Sequence, residues 1–178
     1  MKGMVFTQFL EMVEQRYSMD MVDTIIENSR VASGGVYTAV GTYPHEEMVA
    51  LVGALSAETG ITVPDLLMTY GEQLFSVLVK AFPHFLEGKA NAFDFLSVLD
   101  NYIHVEVRKL YPDAELPRFV IDRPDDHHLC MTYISTRHMK DLAVGLLTGC
   151  LKHFGENVVI DQHLLENGDT RFVLTRQV

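Results

Sequence analysis

His104 is the side chain in this sequence whose type and placement best suit a metal ligand. It lies in the segment 99–108 of a strongly helical pattern, at the edge of an apolar stripe, and Phe93, Ser97 and Asp100 fall on the same side of that helix. A neutral imidazole there can offer one ring nitrogen to a metal while an acceptor holds the other. Taken alone, the pattern favours a hydrogen-bonded core histidine over a ligand, because buried histidines usually find a partner.

A second candidate set is Tyr133, Ser135 and Arg137. On an extended segment, residues at i, i+2 and i+4 share a face, so a phenol, a hydroxyl and a guanidinium would project together. Such donors suit a pair of carboxylates, since a guanidinium can bind one in bidentate fashion. Without other evidence, an ordinary exposed strand face remains the favoured interpretation. Pro117 could shape the turn before this strand or press a rigid ring against a flat ligand.

A third set, Asp125, Asp126, His127, His128 and Cys130, raises the possibility of zinc. Its spacing does not match the usual structural zinc sites, and a polar loop that enters a strand is the favoured interpretation.

The elements that must position these residues change character along the chain. Apolar spacing, with breaks at glycines and prolines, predicts an N-terminal series of helices. The predicted helices cover 5–17, 19–28, 46–59, 64–80 and, as the longest, 91–110. Extended segments are expected over 118–122 and 128–134, a helix over 138–154, and a hairpin over 158–164 and 171–175. The plan is α+β, with a helical N-terminal part and a small antiparallel sheet that holds a helix.

Composition narrows the classes of function. The 178 residues suit one domain, and the 24 acidic against 14 basic residues give a formal charge of −10, which opposes nucleic-acid and anionic-membrane partners. No apolar run approaches the roughly 20 residues that a bilayer requires, and the N-terminus does not have the pattern of a secretion signal. We therefore expect a cytoplasmic protein whose two cysteines are reduced and structural.

Taken in order, a helix histidine, a proline thirteen residues on and a Tyr-x-Ser-x-Arg motif sixteen further on resemble the H-NOX family, the haem nitric oxide/oxygen binding domains, and in particular a bacterial stand-alone member. The resemblance extends to Met1-Lys2-Gly3, to Tyr70-Gly71-Glu-Gln73 and to Gly145-Leu-Leu-Thr-Gly149, and so covers essentially the whole chain.

The resemblance implies haem b held between a distal helical subdomain, about 1–62, and a proximal αβ subdomain, about 63–178. It implies that His104 is the iron ligand and that Tyr133, Ser135 and Arg137 hold the haem propionates. It also implies that Pro117 presses on the porphyrin and distorts it.

The resemblance also bears on the gas. Oxygen binders of the family place a tyrosine seven residues past the serine of the motif, where this chain has Leu142. The remaining distal residues expected are Val5, Phe9, Leu74, Phe75 and Leu78, and none carries a strong donor. Dioxygen benefits from a donor more than nitric oxide or carbon monoxide does, so we expect selectivity for nitric oxide.

The family further implies that nitric oxide breaks the bond between iron and His104, and that the resulting strain reaches a separate histidine kinase or diguanylate cyclase. We expect no enzymatic activity, because the distal side offers no general acid or base for a peroxidase or oxygenase. The alternative from another class is a helical protein-interaction module that binds no haem.

Overall fold

The computed structural model describes residues 1–177 and confirms the α+β plan. The helices are α1 (Gly3–Arg16), α2 (Met19–Ser29), α3 (His45–Thr59), α4 (Val63–Ala81), α5 (Ala92–Leu96), α6 (His104–Leu110) and α7 (Lys140–Phe154). A 3₁₀ turn covers Pro83–Leu86 and a π-helical turn covers Leu99–Ile103. The strands are β1 (Arg118–Asp122), β2 (His128–Ile134), β3 (Val158–Leu164) and β4 (Thr170–Arg176).

Local signals in the sequence fix the ends of the N-terminal helices. The Ser18 hydroxyl accepts a hydrogen bond from the Met21 N–H at 3.1 Å and caps α2, and Thr62 caps α4 in the same way. Gly60 adopts the left-handed conformation, with φ of 71°, and ends α3. The predicted boundaries of these four helices therefore agree with the structure to within a few residues.

The single long helix predicted over 91–110 is wrong, because the structure breaks it into α5, the π-helical turn and α6. The Ser97 hydroxyl donates to the Phe93 carbonyl at 2.6 Å, and Val98 leaves helical geometry with ψ of 6°. The Ile103 N–H then donates to the Val98 carbonyl, five residues back, at 3.2 Å. This wider turn starts α6 at His104, and π-helical turns often occur at functional sites.

The four strands form one antiparallel sheet in the order β1-β2-β4-β3. The predicted hairpin is confirmed as β3 and β4, with Val158 opposite Arg176 and Leu164 opposite Thr170. Helix α7 packs on one face of the sheet, and β2 buries alternate residues there, as a half-covered strand should.

Two hydrophobic clusters share α4. Its N-terminal half, with Leu66 and Tyr70, joins the cluster built by α1, α2 and α3, whereas Phe75 joins the cluster of the sheet and α7. The N-terminal cluster thus extends beyond residue 62 into α4. The predicted boundary between subdomains at about residue 62 is not tested by this observation and stays a prediction.

Within the described residues no single helix has the length and apolar character to cross a membrane. Helices α3 and α4 taken together have the length and composition of a membrane span, but they meet at a bend of 114°.

Candidate cofactor site

A cavity of about 300 Å³ lies between the start of α1 on one side and α6 with its following loop on the other. The C-terminal half of α4 and the buried face of α7 complete its walls. The size is in the range of cofactor pockets, and the lining is mainly aliphatic and aromatic.

His104 enters this cavity from the first residue of α6. Its side chain is 12% exposed, and its Nδ1 is buried with no hydrogen-bond partner among residues 1–177. Burial lowers the pKa of the imidazole, and Arg108 lowers it further, while Asp100 and the Pro117 carbonyl oppose the shift. A neutral imidazole that has a ring nitrogen free of hydrogen bonds retains its capacity to bind a metal.

Asp100 is the residue that ties His104 to the sheet. One of its carboxylate oxygens accepts a hydrogen bond from the Phe119 N–H of β1 at 2.9 Å and lies 3.6 Å from Nδ1 of His104. That separation is beyond hydrogen-bond range. The Phe119 ring lies 6.0 Å from the imidazole and limits its movement. The sequence placed Asp100 on the correct side but gave no sign of its bond to β1.

The three predicted donors all line the cavity, but the predicted extended geometry is wrong. Strand β2 ends at Ile134, so only Tyr133 is on the strand, while Ser135 and Arg137 lie in the turn before α7. The Ser135 hydroxyl accepts the Arg137 backbone N–H at 3.2 Å and shapes this turn. The donors therefore converge through a serine turn rather than through strand alternation. Burial raises the pKa of the Tyr133 phenol, which stays a protonated donor.

The Arg137 guanidinium holds a carboxylate in this structure. Its Nη2 donates to Oε2 of Glu115 at 2.9 Å, with Arg137 15% and Glu115 85% exposed. Sequence analysis missed Glu115, because no pattern links it to a residue 22 positions away. The pair shows that the Arg137 guanidinium at this edge of the cavity can bind a carboxylate that is itself exposed to solvent.

Pro117 lines the cavity at the end of the loop that joins α6 to β1. Tyr111, Ala114 and Leu116 of the same loop also line it. The structure therefore brings His104 and Pro117 to one side of the cavity, as a rigid ring facing a flat ligand would require.

Most of the predicted distal residues line the cavity, namely Val5, Leu74, Phe75, Leu78 and Leu142. Phe9 does not. It is fully buried one turn further along α1, where its ring packs edge to face against Tyr70 at 5.3 Å. The family resemblance implied that Phe9 lines the distal side, but its ring is packed into the N-terminal hydrophobic cluster because α1 is covered on more than one face. Leu146, one turn after Leu142 on α7, lines the cavity and was missed.

The segment proposed as a zinc alternative is a loop that enters β2. His128 Nδ1 lies 2.9 Å from the Asp125 carboxylate, and Arg123 bonds Asp126 at 3.1 Å. Residues 1–177 contain no group of three or more histidine, cysteine or acidic side chains that could hold a metal ion together.

These features fit an iron porphyrin. The cavity offers a buried neutral imidazole with an orphaned nitrogen, apolar walls for a flat ring, and a guanidinium already paired with a carboxylate like that of a propionate. His104 would hold the iron, and Tyr133, Ser135 and Arg137 would hold the propionates.

Comparison with known proteins agrees with this fit. The sequence model of the Haem-NO-binding family matches residues 2–162. The Fe(II) unliganded H-NOX protein from K. algicida is 40% identical, with a TM-score of 0.94, and the match covers 100% of this chain and 97% of that one. The H-NOX from Shewanella woodyi, solved bound to IWP-051 in the Fe(II)CO state, is 38% identical with a TM-score of 0.85, covering 99% and 95%.

An H-NOX protein from S. oneidensis in the Fe(II)NO state, at 22% identity, has the same fold over 100% of both chains with a TM-score of 0.92. Comparison with curated proteins gave no match.

Proposed function

Because this chain belongs to the Haem-NO-binding (H-NOX) family of haem-based gas sensors, we propose that it senses nitric oxide and signals to a separate enzyme. Members of the family bind haem b, which removes the haem-free interaction module as an alternative. The family is a sensor family rather than a catalytic one. When bound, ferrous haem supplies an iron atom that takes a diatomic gas.

The proposal for nitric oxide rests on the side chains that face the gas. Leu142 and Leu74 are buried, Val5 and Leu78 are partly buried, and all four line the cavity. None of these side chains can donate a hydrogen bond. Cys150 carries the weak thiol donor of this wall. Dioxygen draws negative charge and gains about 1.5–3 kcal/mol from a donor, or roughly ten- to a hundredfold in affinity. The apolar side chains of this wall cannot provide that hydrogen bond to dioxygen. Nitric oxide and carbon monoxide depend on such a bond much less.

The test is the absorption spectrum of the ferrous protein. We expect the spectrum in air to lack a stable oxygenated form, and nitric oxide and carbon monoxide each to change it. A stable oxygenated spectrum in air would overturn the proposed selectivity.

Leu142→Tyr tests the assignment of the wall itself. A phenol at this position should confer partial oxygen binding when it reaches the gas, whereas Leu164→Tyr adds the same phenol at an exposed position of β3 outside the cavity and is the matched control. An air spectrum that stays the same in Leu142→Tyr would contradict the assignment of the gas side.

We further propose that His104 carries the signal. The Asp100 carboxylate ties the turn before α6 to β1, and an iron atom bound by His104 would provide a second restraint on the start of α6. Release of His104 would leave α6 with only the first of these restraints. In His104→Gly with free imidazole, haem should be retained while the gas no longer changes the output of the partner; normal coupling in this variant would refute the role.

The partner enzyme is proposed to be a histidine kinase or a diguanylate cyclase. The gene adjacent to this one identifies the candidate. Its activity, measured with this protein present, should differ between the ferrous form alone and the same form with nitric oxide, and an unchanged activity would reject that partner.

A further inference from the structure

The ammonium group of Lys2, at one edge of the cavity, has hydrogen-bond acceptors for all of its N–H groups. It donates to the Val40 carbonyl at 2.6 Å, to the Thr42 hydroxyl at 3.0 Å and to both carboxylate oxygens of Asp113 at 3.1 Å. The ammonium also lies 5.5 Å from the centre of the Tyr111 ring. The side chain is only 14% exposed, so the charge is largely withdrawn from water. Such a group needs its partners, because unpaired it would be costly to bury.

The Asp113 carboxylate also accepts a hydrogen bond from the Thr42 hydroxyl. These two donors lower the pKa of the Asp113 carboxyl below its ordinary value. Lys2 and Thr42 are themselves paired across an isolated β-bridge. The three side chains Lys2, Thr42 and Asp113, which we name the polar tie, therefore form one connected unit.

The polar tie joins two parts of the chain that share no other hydrogen bond. Within residues 1–177, its bonds are the only ones between residues 1–62 and residues 82–177, and its ion pair is the only salt bridge between them. The polar tie therefore provides the hydrogen bonds and the salt bridge that connect the N-terminal helices to the part of the molecule that contains His104.

The position of the tie matters as much as its bonds. Lys2 and Val5 line the cavity, and so do Tyr111, Ala114 and Pro117 of the loop 111–117. That loop carries Asp113 of the tie, Glu115 that pairs with Arg137, and Pro117. In the proposed haem assignment, on which this inference rests, Arg137 would bind a haem carboxylate, and the loop that holds Glu115 against Arg137 would border the solvent edge of the site.

We propose that Lys2, Thr42 and Asp113 are positioning residues that hold the loop 111–117 against the N-terminal helices and thereby slow the release of haem. The tie touches neither iron nor propionate in this assignment. It acts through the loop, which keeps Pro117 at a fixed separation from the N-terminal helices. Haem can leave only when this separation increases, and the increase requires that the hydrogen bonds and the ion pair of the polar tie break.

The experiment compares haem-loaded wild type, Lys2→Met, Asp113→Asn and the double variant, each mixed with excess apomyoglobin as haem acceptor. The first-order rate of transfer is followed in the Soret band. Asp113 is 58% exposed, so solvent screening moderates the pair, and we expect each single variant to release haem about three- to tenfold faster. The double variant should be no faster than the faster single one, because both changes open the same tie.

Asp122→Asn is the matched control, since it removes one carboxylate charge from an exposed position of β1 away from the cavity. Its release rate should equal that of wild type. Thermal unfolding of each haem-loaded variant, followed by circular dichroism, separates local opening from general destabilisation.

The proposal is overturned if Asp113→Asn releases haem at the rate of Asp122→Asn, or if the effects of Lys2→Met and Asp113→Asn multiply in the double variant. It is also overturned if the faster release is matched by a proportional loss of thermal stability. Thr42→Val keeps both charges and removes only the hydroxyl, so it should give a smaller increase of the same sign.

Discussion

Gly145→Ala should destabilise this protein although alanine is the better helix former. A Cβ added at Gly145 of α7 would lie 2.2 Å from the Met68 carbonyl oxygen and 2.9 Å from Cα of Gly71, both on α4, whereas ordinary contacts begin at 3.4 Å. Both neighbours are backbone atoms, so α4 and α7 must move apart by about 1 Å, and overpacking of this kind costs about 1–3 kcal/mol.

Gly53→Ala is the matched control on α3, where an added Cβ meets nothing within 4 Å. There the helix propensity of alanine should stabilise the protein by about 0.5–1 kcal/mol. Urea unfolding of both haem-loaded variants, followed by circular dichroism, measures the difference. If Gly145→Ala proved as stable as Gly53→Ala, the backbone contact between α4 and α7 would be refuted.

Two further predictions concern carboxylates. Glu115→Gln should slow haem release about two- to fivefold, because Glu115 and a haem carboxylate compete for Arg137; faster release in the apomyoglobin assay would contradict this competition. Glu47→Gln should destabilise the protein by about 1–3 kcal/mol at pH 7, because hydrogen bonds from the Ser33 and Tyr37 hydroxyls to this buried carboxylate would be weakened. Burial raises the pKa of Glu47, but these bonds outweigh it and lower the pKa below 4.5. The stabilisation is therefore present above pH 4.5 and lost as pH falls through the folded-state pKa, so the two unfolding curves should converge in acid; a constant difference would argue against it.

Much of the fold was predictable because its signals are local. The caps at Ser18, Thr62 and Gly60 mark helix ends within a few residues of the chain, and the alternation in β2 follows directly from burial of one face. The identity of the site was predictable for a different reason. His104, Pro117 and the donor motif have a spacing that resembles one family, and the structure places all of them on one cavity.

What could not be predicted depends on contacts between distant residues. The break before α6 is stabilised by Asp100, whose partner Phe119 lies 19 residues further along the chain. The contact between Glu115 and Arg137 spans 22 residues, and the contact between Lys2 and Asp113 spans 111. Periodicity within a helix or strand contains no information on such pairs.

Phe9 illustrates the same limit within a single helix. Its burial was predictable from hydrophobicity, but α1 is covered on several sides by α2, α4 and the segment that contains Tyr37 and Tyr43. Which covered side faced the cavity was decided by the packing of α4, whose Tyr70 hydroxyl donates to the Val5 carbonyl. The side of α1 that faces the cavity therefore depends on tertiary contacts with α4, which cannot be predicted from the sequence of α1 alone.

We propose that His104 is the iron ligand and that nitric oxide releases it. The most direct measurement compares the absorption spectra of ferrous wild type and ferrous His104→Gly, each with nitric oxide and without added imidazole. If nitric oxide releases His104, the two spectra should coincide, because neither protein then supplies a ligand on that side. A wild-type spectrum that matches His104→Gly only after imidazole is added would show that His104 stays attached and would contradict the account.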